Sequence, residues 1–189
     1  VPVAALSTAV LWTSVPVLAA ATTSPGYDLV LLAHVLTAVV GLGALVVAAG
    51  SALALRGVLL RGGPVPEALA RYYRPGVNWA GRVLFLVPVL GAALLAMSGG
   101  QWSFADLWVS LGTAAWGVVA VAAEAVLWPG ERRLQEVVAT VTGGSGVPDP
   151  HDDRSDVVRA PGLCARVGLL GLTLGAALVV TGVVMVAKP

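Results

Sequence analysis

Charge is what this chain has least of. Acidic and basic residues make up 11% of its 189 residues, against 58% hydrophobic, and mean hydropathy is +0.90. An ordinary soluble domain carries about a quarter charged residues. The deficit excludes a water-soluble globule, and the apolar mass excludes a disordered chain. Net charge is only +1, so no basic excess points to nucleic acid. A single cysteine excludes a disulfide framework and a thiolate metal cluster within the chain. Two histidines exclude a three-histidine catalytic metal site. Isoleucine is absent, and one asparagine and one lysine stand against ten arginines, a bias that points to a GC-rich bacterial genome.

The few charges are gathered. Eleven of the 21 lie between Glu131 and Arg166 and six between Arg56 and Arg82; only Asp28, Asp106, Glu124 and Lys188 fall elsewhere. The uncharged stretches left over are each close to the roughly 20 residues that cross a bilayer. They predict core spans at Tyr27–Leu55, Trp79–Ser98, Phe104–Trp128 and Leu163–Ala187. These stretches are continuously apolar rather than alternating, so they are helices; a helix satisfies its own backbone in lipid. The expected fold is an all-α polytopic transmembrane bundle over 23–189, its partner the lipid bilayer.

Arginine sets the orientation. All ten arginines lie in Arg56–Arg82 or Arg132–Arg166, and positive residues flanking spans stay in the cytoplasm. Loops 56–78 and 129–162 are therefore expected inside, with Gly99–Ser103 and the C-terminus outside, in a bacterial inner membrane. Residues 1–22 form a separate apolar segment. Ala19-Ala20-Ala21 resembles a signal cleavage site, but no positive n-region precedes it. The reading adopted is an extra N-terminal span that starts inside.

Within loop 56–78, Pro66-Glu67 is a helix-start signal, and Tyr72, Tyr73 and Trp79 suit the headgroup level. In the second loop, Pro129–Val138 reads as an amphipathic surface helix, and Gly143–Gly146 with Val147–Asp156 as flexible linker. Pro88 is expected to kink its span. Gly171 and Gly175, with Gly168 one turn before, let helix backbones approach closely. They make either a dimerisation seam or packing within the chain, the latter favoured.

Four features could carry chemistry. His34 lies roughly 10 Å inside the outer end of its helix. At 100° per residue its face holds Thr37, Gly41, Leu45, Ala48 and Ala52, opposite Leu29, Leu32, Leu36 and Val40, so His34 is expected to face the bundle. An intramembrane imidazole could ligate haem iron or copper; the plainer role is a hydrogen bond to a neighbouring helix, and no cofactor is then expected. Met97 and Met185 fall near the same outer surface, and thioethers suit Cu(I). His151 with Asp149, Asp152 and Asp153 could hold a metal, but a solvated linker is the favoured reading, since the neighbouring Gly and Pro do not fix ligand geometry. Glu124 and Arg82 each lie about four residues, roughly 6 Å, inside the inner end of consecutive spans. An unpaired charge there is costly, so Glu124 is expected to pair with Arg82, or with Arg56 if the helices are rotated. Cys164 reads as an inert core thiol.

The order of these features resembles a family of uncharacterised bacterial integral membrane proteins. The matching elements are Tyr27–Leu36 with His34, the Gly41-x-Gly43 pair, Asn78–Phe85, and Trp108 followed by Leu127-Trp128-Pro129 and Arg132-Arg133-Leu134. That family is distantly similar to CopD-type copper-resistance and HemJ-type membrane proteins. The resemblance covers Tyr27 to the C-terminus and implies a four-helix core with His34 as a haem or copper ligand. The residues by themselves favour a non-enzymatic accessory or scaffold subunit, with other membrane subunits or a second copy as partners. They contain no nucleotide loop and no nucleophile–base pair. A small transporter, using Glu124, is the third reading.

Overall fold

The computed structural model describes residues 24–143 and 154–187, so the expected N-terminal span and His151 lie outside the described residues. Seven α-helices are seen there and no strand: α1 (Pro25–Leu60), α2 (Glu67–Tyr72), α3 (Trp79–Arg82), α4 (Leu86–Met97), α5 (Leu107–Ala122), α6 (Trp128–Thr142) and α7 (Arg154–Ala187). A 3₁₀ turn, Val83–Phe85, joins α3 to α4, and a π turn, Ala123–Leu127, joins α5 to α6. Four helical runs are long and apolar enough to cross a membrane: Pro25–Leu60, Trp79–Met97, Leu107–Thr142 and Val157–Ala187.

Small residues decide how the bundle closes. The most extensive packing is α1 on α7, followed by α1 on α4. Gly168 and Gly171 face α1; a Cβ on Gly171 would stand 3.0 Å from the Ala49 Cβ and 3.3 Å from the Leu45 carbonyl. Gly175 is looser, its nearest neighbour 3.7 Å away on Leu42. The glycine seam is thus packing within the chain. Burial on α1 follows the 100° face: Gly41, Leu45, Ala48 and Ala52 are buried, while Leu29, Leu32, Leu36 and Val40 are exposed.

Two boundaries differ from the sequence reading. The amphipathic helix expected over Pro129–Val138 forms as α6, but it is continuous with the third span rather than separate from it. The third span runs through Pro129 as one helix of 36 residues, to Thr142. Proline normally ends a helix because it lacks an N–H and clashes with the carbonyl four residues back. The π turn removes that obstacle. The Trp128 N–H bonds to the Ala123 carbonyl, five residues back, and widens the turn just before Pro129. Pro129 then occupies the first turn of α6, where no N–H is required. The apolar side of α6, with Leu134, Val137 and Val138, is buried against the protein, through its packing on α7 and α2. Likewise α7 begins at Arg154, within the stretch read as linker.

Pro88 shows the same accommodation. Its missing N–H leaves the Leu84 carbonyl without its usual helical donor, and the Trp116 indole N–H of α5 supplies one at 3.1 Å. The backbone upstream tightens into the Val83–Phe85 3₁₀ turn.

Candidate functional site at the arginine-bearing end

Two groups of polar side chains tie the helices to one another, one in mid-bundle and one where α2, α3 and α6 meet. In mid-bundle the His34 Nδ1–H donates to the Val87 carbonyl of α4 at 2.9 Å. Gly91 leaves room for the ring: a Cβ there would lie 3.4 Å from His34 Cε1. Thr37 turns its hydroxyl back to the His34 carbonyl, 2.8 Å away. A carbonyl can only accept, so in neutral imidazole the proton is on Nδ1 and Nε2 carries the lone pair. Met97 and Met185 are not gathered round this ring. Met97 sits against Gly26, eight residues and about 12 Å along α1 from His34. Met185 sits against Gly112 of α5. Among the described residues, no three of His, Cys, Asp and Glu converge. Cys164 is fully buried.

The second group is a polar stripe. Glu124, Trp128, Glu131 and Gln135 are spaced four, three and four residues apart, which places them along one side of a helix. Each holds a piece of segment 72–82. Arg82 donates to Glu124 Oε1, and its guanidinium carbon lies 3.7 Å from the centroid of the Trp128 ring. Gly81 admits the indole, since a Cβ there would stand 3.3 Å from Trp128 Nε1. Trp128 is itself buried and meets Phe85 edge-to-face. Arg56 takes no part in pairing Glu124.

Glu131 is the member that sequence reasoning placed on a surface helix. It is 4% exposed, the one buried charged residue among those described. Tyr72 O–H donates to its Oε1 at 2.7 Å and Asn78 Nδ2 at 3.3 Å. Among the described residues no cation lies within ion-pair distance of it. Asn78, the chain's only asparagine, uses both ends of its amide. The oxygen accepts the Gly81 N–H at 3.3 Å and caps α3, while the nitrogen reaches Glu131. One turn on, Gln135 donates to the Gly76 carbonyl at 3.3 Å. The 4-3-4 spacing was the available signal; Pro129-Gly130 hid it by splitting the stripe between a span and a loop.

Burial and the Glu131 carboxylate push the Tyr72 phenol well above its ordinary value of 10.0, and burial does the same to Tyr73. The sign follows directly. Above pH 10 the unfolded chain releases phenolic protons that the folded chain retains, so stability falls as pH rises. Each tyrosine contributes a slope of about 1.4 kcal/mol per pH unit in that window. Thermal unfolding followed from pH 8 to 11 should show the loss setting in above pH 10, with a smaller slope in Tyr72→Phe. An equal slope in the variant would mean that Tyr72 is not held neutral.

The Arg82–Glu124 pair is part-exposed, at 28% and 46% of the side chains, so its contribution is discounted accordingly. A double-mutant cycle with Arg82→Gln and Glu124→Gln is expected to give a coupling of about 1 kcal/mol. A coupling near zero would leave the guanidinium held by Trp128 alone. Comparison with known protein families, curated proteins and solved structures finds no match for this chain.

Proposed function

We propose that this chain is a non-enzymatic integral membrane protein, an accessory or scaffold subunit of a bacterial inner-membrane complex. One observation carries the reading: four polar side chains on different helices, His34, Trp116, Arg82 and Glu131, are each bound to a partner elsewhere in the same chain. His34 is bound to Val87, Trp116 to Leu84, Arg82 to Glu124, and Glu131 to Tyr72 and Asn78. These contacts fix helices to one another, and the outward faces left over are apolar. In the test, the tagged chain is taken from native membranes in mild detergent and its native mass measured. A discrete complex of fixed stoichiometry is expected; a lone 19.0 kDa chain both there and after cross-linking in the membrane would refute the role.

The arginine-bearing end is proposed to face the cytoplasm, on the positive-inside distribution. In a Cys164→Ala background, Gln101→Cys is expected to react with an impermeant thiol reagent in intact cells and Arg133→Cys only after lysis. Labelling of Arg133→Cys in intact cells would reverse the orientation.

A second reading, a haem- or copper-linked redox protein, is favoured by the His34 tautomer. A ring whose Nδ1–H is held by a carbonyl presents Nε2 to a metal, the arrangement common among ligating histidines. His34 Nε2 would be the atom that holds the metal; the residues against the ring on α4, Val87 and Gly91, bring no second ligand side chain. A visible absorption spectrum of the purified protein separates the readings: a band lost in His34→Ala supports the metal.

A further inference from the structure

Segments α6 and α7 enclose a cleft of about 730 Å³, lined by Arg133 on α6 and by Arg159 and Arg166 on α7. Its apolar wall includes Val137, Val158 and Leu163. One acid, Glu136, also faces it. Among the described residues none of the three arginines has an acid within ion-pair distance. The volume is that of a small-molecule site, and its charge is that of an anion receptor.

The level of the cleft follows from the chain itself. Val167–Ala187 contains no charged residue over 21 positions, the length of one bilayer crossing. Arg166 therefore stands where hydrocarbon gives way to headgroups. Arg159 is two turns, roughly 10 Å, further out on the same face. Gly162 lies between them with nothing within 4 Å of where a Cβ would be, so the wall is open there. On the membrane side of Arg166, Leu169 is 61% exposed. A molecule anchored at Arg166 thus has arginine around its head and an apolar track beneath it.

We propose that this cleft binds the phosphate headgroup of an anionic phospholipid, with an acyl chain running down α7 over Leu169. Basic pockets between helices at the headgroup level are suited to such lipids. Arginine's planar fork pairs phosphate oxygens in a bidentate manner. Leu163, between Arg159 and Arg166 in the wall, and exposed Leu169 below it give the glycerol and upper chain an apolar surface that a free anion would not need.

The test uses the full chain in a neutral detergent and follows thermal unfolding against added phosphatidylglycerol, phosphatidylcholine or inorganic phosphate. Each basic residue near the headgroups adds about fivefold in affinity, so three predict a preference of roughly a hundredfold for phosphatidylglycerol over phosphatidylcholine. The preference should vanish in the triple variant Arg133→Gln, Arg159→Gln, Arg166→Gln. It should persist in a charge-matched triple outside the cleft, Arg61→Gln, Arg74→Gln, Arg132→Gln. Should the cleft triple fail to fold, Arg133→Gln alone is expected to lower the preference about fivefold. Equal loss in both triples would reduce the effect to smeared charge and overturn the site. Equal stabilisation by inorganic phosphate would overturn the lipid, because the acyl chain would then contribute nothing.

Discussion

Gly171→Leu is expected to lower the unfolding temperature by roughly 10 °C, or to prevent folding. The reason is where the new side chain would go. A Cβ at residue 171 meets the Ala49 Cβ at 3.0 Å, the Leu45 carbonyl at 3.3 Å and the Ala49 Cα at 3.5 Å. Two of those three atoms are backbone, and Ala49 is fully buried. No side-chain rotation relieves the contact, so α1 and α7 must separate along the most extensive packing of the bundle. Overpacking of this kind costs about 3 kcal/mol or more, which at the unfolding entropy of a chain this size is roughly 10 °C. The other glycines of α7 calibrate it. At Gly168 the nearest atoms are Leu53 Cγ and Cδ2, at 2.6 and 2.7 Å, with the Ala49 carbonyl at 3.3 Å; Leu53 must shift, so Gly168→Ala, which adds only a methyl, should cost about 1–3 kcal/mol. Gly182 has nothing within 4 Å, and Gly182→Ala should be neutral or slightly stabilising. The order 171, 168, 182 is the content of the prediction. An unfolding temperature for Gly171→Leu equal to that of Gly182→Ala would mean that α1 and α7 do not meet at these residues.

What the sequence made legible was whatever depends on composition and on period. The uncharged apolar stretches marked four helical runs, although the charged ends expected at Leu55, Trp128 and Leu163 lie inside helices that continue to Leu60, Thr142 and Val157. The 100° period separated the buried Gly41, Leu45, Ala48 and Ala52 from the exposed Leu29, Leu32 and Leu36. Small residues at 168 and 171 marked a close approach. What stayed hidden depended on rules with conditions attached. Proline stops a helix only while the turn before it is α. Once Ala123–Leu127 opens into a π turn, Pro129 becomes a first-turn residue and the helix continues. No local pattern announces that turn. Reading Pro129-Gly130 as a stop moved Glu131 and Gln135 onto a surface helix and separated them from Glu124 and Trp128. Gly130 also had a tertiary role that its sequence neighbours do not reveal. A Cβ there would lie 2.6 Å from Val167 Cγ2, so Gly130 lets α6 lie against α7.

Glu131→Leu is expected to destabilise the protein by about 3 kcal/mol, even though leucine is the more natural occupant of a buried position. Replacing a buried charge by a well-packed apolar group is often neutral or stabilising when its partners are replaced too. Here the partners stay. Tyr72 O–H and Asn78 Nδ2 both aim at Oε1, from 2.7 and 3.3 Å; leucine leaves the phenol without that acceptor and Asn78 Nδ2 with only the Tyr72 oxygen, 3.5 Å away. Each buried donor left unmet costs about 1–3 kcal/mol. Because the same two donors hold α2 and the α3 cap, the loss should also loosen segment 61–78. Limited proteolysis at Arg61 or Arg71 should then be faster in the variant than in the wild type. Glu131→Gln keeps a carbonyl acceptor of the same reach and should cost only about 1 kcal/mol. The discriminating variant is the double Glu131→Leu, Tyr72→Phe, which removes one orphaned donor together with its acceptor. It is expected to regain roughly half of the single variant's loss, with the Asn78 amide accounting for the rest. If Glu131→Leu matched the wild type in both unfolding temperature and proteolysis, the carboxylate would not be what ties segment 72–82 to α6.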